Sequence, residues 1–399
     1  MRAKITTSRS CKGCRKRHFF RRRQGHLART ATPSGGRTWD GFSKTFQAAL
    51  QTLELARKGL PLPATEIGHV PLPDGRSKPG VIMYAPEVLS LDPENRNAFL
   101  GFLYAYRYAN HVAPTLEQHG RRTSMISLRS VKRMELDAAL VMVAEYYRLC
   151  RLGNVNPKIV DEDWPAEIRE QLRQLGFYDF VQAIDQEDGI SVPDLGRKFV
   201  KFESGSAVHG AQARAIIEKL TAVAGSTPRR EEIYSGLVEA MMNVNNHAYK
   251  DRPPEVFKPL DNWWIAGSYE PGSETLEFVV FDQGVGIPTR IPSDQSYFAS
   301  LKRLLKGSED ADLIEAAIEL GQTSTDLPER GNGMWTICQV VEKLPGSNVR
   351  IVSGRGDVTY SSDTGTLSKR TYKNPFPGTL VQWTLQMPSE IDAARGPLL

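Results

Sequence analysis

The chain has 399 residues, 40% of them apolar and 24% charged, which describes a globular protein with room for two or three domains. No apolar run is long enough to cross a bilayer, the N-terminus lacks the hydrophobic segment of a secretory signal, and four cysteines at 11, 14, 150 and 338 do not suit a disulfide framework, so a cytoplasmic setting and no membrane partner are expected. The net charge of +5 is spread unevenly: residues 1–39 carry 12 Lys or Arg and no acidic residue, leaving 39 basic against 46 acidic residues in the remainder.

Residues 1–40 lack apolar periodicity and read as a basic, disordered tail. Cys11-x2-Cys14, followed by His18 and His26, offers zinc donors, but only one CxxC is present and the spacing fits no zinc template. An acid-free arm of this kind binds phosphate backbones without sequence preference, and it is the only pointer to nucleic acid. It also has the look of a transit peptide, and a start codon downstream of it would remove it altogether. Residues 41–80 are expected to hold a helix over 41–58 and then a Pro/Gly-rich connector.

Over residues 81–186 strand and helix patterns alternate. VIMYAPEVLSL predicts a strand and turn, ENRNAFLGFLYAYRYANHV a helix, SMISLRSV a strand, DAALVMVAEYYRLCRLG a helix, NPKIV a strand and WPAEIREQLRQLGFYDFV a final helix. That alternation predicts an α/β layer structure. The order resembles the STAS domains that act as anti-sigma-factor antagonists. Those domains carry an Asp-Ser-Ser-Gly type element with a phosphorylated serine at one strand-to-helix turn. Here the turn reads Met134-Glu135-Leu136-Asp137-Ala138, with Asp137 at the acceptor position. The resemblance therefore implies a module that phosphorylation does not switch there, locked or used as a scaffold. Residues 187–204 are punctuated by Gly, Pro and Ser and read as an irregular linker.

The rest of the chain is organised around Glu231–His247, EEIYSGLVEAMMNVNNH. Ile233, Leu237, Ala240, Met241 and Val244 recur at helical spacing and predict one amphipathic helix. Glu239, Asn243 and His247 stand four apart and form a polar file on another face. A carboxylate one turn from a carboxamide can orient water and hold a divalent cation, although such a file alone is ordinary on a surface helix. Two later stretches bear on it. After the strand pattern TLEFVVF comes Asp282-Gln283-Gly284-Val285-Gly286, where an acidic residue at a strand end can accept from an exocyclic amine and the glycines let the backbone approach a flat base. Further on, Arg330-Gly331-Asn332-Gly333-Met334 leads into a predicted helix, where glycines expose N–H groups to phosphate oxygens.

Taken with Gly378-Thr379-Leu380 before a closing strand, this set resembles the ATP-binding domain of the gyrase, heat-shock chaperone, histidine kinase and MutL superfamily (GHKL). EAMMNVNNHAY looks closest to the N box of the anti-sigma-factor serine kinases and their relatives. The resemblance covers residues 205–390, with 391–399 as a short tail. It implies a Bergerat-type two-layer α/β sandwich with a mixed sheet, preceded by the smaller STAS-like domain. It implies ATP and Mg2+ as ligands, Asn243 as the metal ligand and Glu239 as the catalytic base or water-orienting carboxylate. Asp282 would contact the adenine amine, with Gly284 and Gly286 beside the base, Gly331 and Gly333 at the phosphates and Thr379 supporting Asp282. For His247 a phosphate contact and a hydrogen-bonded helix-end role stand side by side. Pro288–Glu329 would be the lid, and in it the helix pattern ADLIEAAIELG and the hydroxyls of Thr323, Ser324 and Thr325 either close over phosphates or simply end a helix.

The function expected is an ATP-binding regulatory protein that hydrolyses ATP or passes its phosphoryl group to a partner protein. The alternative is a nucleotide-sensing interaction module without turnover. Glu239 favours the first, because binding alone does not require a carboxylate beside the metal ligand. A phosphorelay histidine kinase fits poorly, since no helical hairpin precedes residue 205 and His209 is its only nominal acceptor. The partner's identity and homodimerisation are left open.

Overall fold

The computed structural model describes residues 59–71, 77–117, 124–153, 159–180, 193–250, 259–293, 299, 301–302, 304–323 and 333–387. The basic tail with Cys11 and Cys14, the helix expected over 41–58, most of NPKIV and the C-terminal tail lie outside these residues.

The upstream part holds a small mixed sheet. Strands β1 (Thr65–Pro71) and β2 (Ser77–Tyr84) pair antiparallel, and β2 pairs parallel with β4 (Ser124–Ser127). Between them in sequence, β3 (Val88–Leu89) pairs parallel with β5 (Arg133–Met134). Two long helices follow the expected patterns, α1 over Arg96–Glu117 and α2 over Leu136–Gly153. The run Leu136 to Tyr146 in α2 is buried at every position, as befits a helix apolar on all faces. The last predicted helix is α3 (Ala166–Gln174), which stops at Gly176 with φ of 77°, after which Phe177–Phe180 adds one short turn, α4.

The downstream part is a five-stranded sheet in the order β6-β7-β8-β10-β9, from β6 (Lys198–Gly205), β7 (Trp263–Glu270), β8 (Thr275–Asp282), β9 (Asn348–Ser361) and β10 (Thr366–Gln386). Every pairing in it is antiparallel. The mixed sheet expected here is thus the small upstream one. β6 also corrects an expectation: its residues were predicted as irregular linker and Gly205, yet they form an edge strand. Its period-2 pattern is hidden by a register shift between Val200 and Glu203, which sends Val200 to one face of the sheet and Phe202 to the other. β9 and β10 make a long hairpin turning at Ser362–Gly365.

Within residues 193–387 the helices lie on one face of the sheet, and the other face is covered by the upstream helices. On the inner face lie α5 (Gly210–Ala224), α6 (Arg230–Asn243), α8 (Asp310–Thr323) and α9 (Gly333–Gln339), sharing a core with Leu276, Phe278, Val280, Ile351 and Trp383. A short helix, α7 (Ile287–Arg290), follows β8. On the outer face α2 packs on β7 and β8, and its side chains share one core with Trp264, Val279, Phe281, Val352 and Leu380. The consecutive buried residues of β7 and β8 are the sequence trace of this: a strand covered on both sides reads as a continuous apolar run. The architecture is mixed α/β. No helix among the described residues is long and apolar enough to cross a membrane.

Candidate functional site

Antiparallel register sets three polar residues opposite one another on the inner face: Asp282 on β8, Thr379 on β10 and Ser353 on β9. The phase was legible, because Val280, Val381 and Ile351, two residues before or after them, belong to the inner core. Thr379 hydrogen-bonds the Asp282 carboxylate through its backbone and its hydroxyl. Ser353 Oγ lies 3.0 Å from Thr379 Oγ1, donates to Gly378 O at 3.1 Å and accepts from Ile287 N at 2.9 Å. One hydroxyl thus ties β9, the middle of β10 and the start of α7 together.

Burial pushes the Asp282 carboxyl up to about 7, against the pull of hydrogen bonds from the Gly284 amide and Thr379. No Lys or Arg among the described residues offsets that burial. The turn after Asp282 is held by its own backbone: Gly284 N donates to Asp282 Oδ1 at 2.7 Å, Val285 N to Ala248 O at 2.9 Å and Gln283 N to Tyr249 Oη at 3.1 Å. Tyr249 in turn donates to Asn262 O at 2.6 Å. Gly286 has φ of 84°, which a side chain would strain, and it opens α7.

The helix expected over Glu231–His247 is α-helical only to Asn243 and then widens into a π turn over Val244–Ala248. His247 lies within this turn and is exposed. Its far end, Ala248, is the acceptor that pins Val285, so the end of α6 with its π turn and the Asp282 turn are joined by a direct hydrogen bond. One turn back, Glu239 meets α9. A Cβ on Gly333 would overlap the Glu239 carboxylate, which makes glycine a steric requirement there. Burial raises the Glu239 carboxyl above its ordinary range, with the Asn243 carboxamide working the other way. Asn243 Nδ2 is buried and closes no hydrogen bond of good geometry.

The structure therefore brings Asp282, Thr379, Gly284 and Gly286 together at the β8 turn, and Glu239, Asn243 and Gly333 together at the α6–α9 contact. Gly331 lies outside the described residues, as do Ser324 and Thr325. Thr323 is the last residue of α8, whose Ala311–Ile318 stretch is buried throughout, so this part of the expected lid is a packed helix. Asp137 is buried at the start of α2, where its Oδ2 accepts from Leu91 N at 3.2 Å and lies 3.9 Å from Arg350.

No protein-family model matches the chain, and no curated protein matches it. The functional reading rests on the residues themselves. Sequence reasoning missed Ser353 and Tyr249. Ser353 carried a usable signal, its inward phase on the VRIVSGRG strand, whereas Tyr249 follows a π turn that no α or β period anticipates. Chemically, the site offers an uncompensated buried carboxylate able to accept from an amine, and a second carboxylate beside a carboxamide. No cluster of three or more His, Cys, Asp or Glu side chains occurs among the described residues.

Proposed function

We propose that this chain is an ATP-binding regulatory protein with a GHKL-type site that cleaves the terminal phosphate bond, by hydrolysis or by transfer to a partner protein. The observation that carries the reading is the hydrogen bond between Val285 N and Ala248 O. It joins the two halves of a nucleotide site that the sequence keeps 35 or more residues apart, Glu239 and Asn243 on one side and Asp282 on the other. Asp282 accepts the adenine amine, and Thr379 and the Gly284 amide aim its carboxylate. Asn243 supplies the amide oxygen for Mg2+, which when bound neutralises phosphate charge. The NH2 end of the Asn243 carboxamide suits the neighbouring Glu239 carboxylate, which leaves Oδ1 as the atom offered to a cation. Glu239, whose carboxyl burial raises and so makes a stronger base, takes a proton from the attacking water or hydroxyl.

The test is paired. With Mg2+ present, Asn243→Ala abolishes ATP affinity and Asp282→Ala weakens adenine nucleotides far more than others; unchanged ATP binding by Asn243→Ala would falsify the assignment. Glu239→Gln retains binding and lowers phosphate release, or labelling of self or partner, by about a hundredfold to ten-thousandfold. Wild-type protein that binds ATP and shows no turnover with any partner is instead a nucleotide sensor.

A further inference from the structure

Alternation along β8 separates two jobs at its end. Leu276, Phe278 and Val280 belong to the inner core, and Val279 and Phe281 to the outer. Asp282 therefore faces inward, and Gln283, next along, faces outward to α2. There Gln283 Nε2 donates to Glu145 Oε2 at 3.2 Å. Glu145 has no solvent-exposed surface and Gln283 retains 6%. The same carboxylate accepts from Arg107 Nε at 2.9 Å and from Arg148 Nε at 3.1 Å, and Arg148 closes a second contact through its terminal nitrogen.

Burial alone would raise the Glu145 carboxyl, but the charges and hydrogen bonds of Arg107 and Arg148 outweigh it and hold the group below its usual range. An ionised carboxylate has no proton to donate, so it dictates that the NH2 end of the Gln283 amide faces it. The other end, Oε1, is left buried without a donor. An apolar side chain would fill this buried place without leaving an orphaned acceptor. The amide is thus poor packing and good orientation. Gln283 is gripped twice: its side chain by α2, its main-chain N–H by Tyr249. It stands between Asp282 and Gly284, whose own hydrogen bond shapes the turn.

We propose that Glu145 is a positioning residue for the candidate nucleotide site, acting through Gln283 to fix the turn that aims Asp282, so that the upstream helical layer sets nucleotide affinity. The inference rests on reading Asp282 as the nucleotide contact. Neither Glu145 nor the side chain of Gln283 touches the ligand. They act on where the Asp282–Gly284 backbone sits, and any shift of α2 is felt there.

The experiment uses the full chain as wild type, Gln283→Leu, Glu145→Gln and the double variant. Gln283→Leu removes one donor and leaves the Glu145, Arg107 and Arg148 pairing intact, so it remains informative where Glu145→Gln fails to fold. ATP affinity is measured by calorimetry with Mg2+, and amide hydrogen exchange over 282–287 without nucleotide. Expected are a roughly tenfold loss of ATP affinity in Gln283→Leu and faster exchange at Gly284 and Val285 with an unchanged thermal midpoint. The double variant is expected to be no worse than the more affected single one. Unchanged affinity and exchange in Gln283→Leu overturn the inference. So does exchange that rises equally throughout the chain with a lowered midpoint, which marks a packing role. Wild type that binds no ATP overturns the reading of the site instead; local exchange in Gln283→Leu then decides the positioning role by itself.

Discussion

Two buried carboxylates on opposite faces of the same sheet are treated in opposite ways. Asp282, on the inner face, has hydrogen bonds from Gly284 and Thr379 but no cation, and burial lifts it to about 7. Glu145, packed on the outer face, has two arginines and stays ionised. A carboxylate whose charge is already matched has little left to offer a ligand, and one without a cation costs stability until something binds it. The difference lies in the cations: two arginines match Glu145, and burial at Asp282 is offset by hydrogen bonds alone.

The largest effect that can break this comparison comes from removing the outer layer. A fragment starting at residue 193 exposes Trp264, Phe281, Phe376 and Leu380 together, an apolar face no lone domain tolerates. It is expected to aggregate or to lack a cooperative melt. A monodisperse, cooperatively melting fragment would show that the outer helices are an optional cover. At single-residue scale, Phe278→Ala on the inner face and Phe281→Ala on the outer face each cost about 3–5 kcal/mol in denaturant unfolding. A loss at Phe281 well under half that at Phe278 would contradict two equally packed faces.

How much of this was legible follows from the period each element keeps. The inner face could be read, since α5 and α6 carry clean helical stripes and the Asp282 and Thr379 strands keep period 2. The outer face could not be assigned, although its mark was present. LDAALVMVA and TLEFVVF are apolar on all sides, and that pattern states that something covers each side without stating what. Elements that break period are hidden from such a reading: the register shift in β6 makes a strand look like linker, and the π turn after Asn243 follows no α period. The Glu145, Arg107 and Arg148 cluster joins helices far apart in sequence to a loop farther still, so no local spacing reveals it.

A smaller effect sharpens the electrostatic half of the comparison. Asp282 and Asp137 both rise from 3.8 to about 7 through burial, Asp137 against the pull of Arg350. Between pH 4 and 7 the folded chain holds protons at these sites that the unfolded chain has released, so stability falls as pH rises across that window and levels off above it. The slope amounts to roughly 2–4 kcal/mol per carboxylate across the window. Asp282→Asn removes one contribution, leaving those of Asp137, Glu239 and Glu277, and is expected to make the fall shallower in urea melts taken from pH 4 to 8. Glu145 has the opposite sign, since its stabilisation is present above its unfolded value and disappears only in acid. An Asp282→Asn variant whose pH profile matches that of wild type would mean that Asp282 is matched by charge after all.

The smallest expected effect lies at the rim of the inner face, where α8 meets the hairpin. Lys369 on β10 bridges Asp312 at 2.7 Å and Glu315 at 2.6 Å, and Lys306 joins Glu315 from the other side. The ammonium of Lys369 is about one-third exposed, so water and salt screen it. Beneath it, Ala311, Ile314 and Ile318 are buried in the inner core. If packing holds α8, Lys369→Met costs only about 0.5–1 kcal/mol at low salt and less at 1 M salt, because the Debye length there shrinks to about 3 Å. If the ion pairs hold it, the same change frees the helix, and amide exchange over Asp310–Thr323 accelerates by far more than the loss of global stability explains. The first outcome makes α8 a fixed wall of the site. The second makes it a cover released by charge, and would return it to the role of a lid.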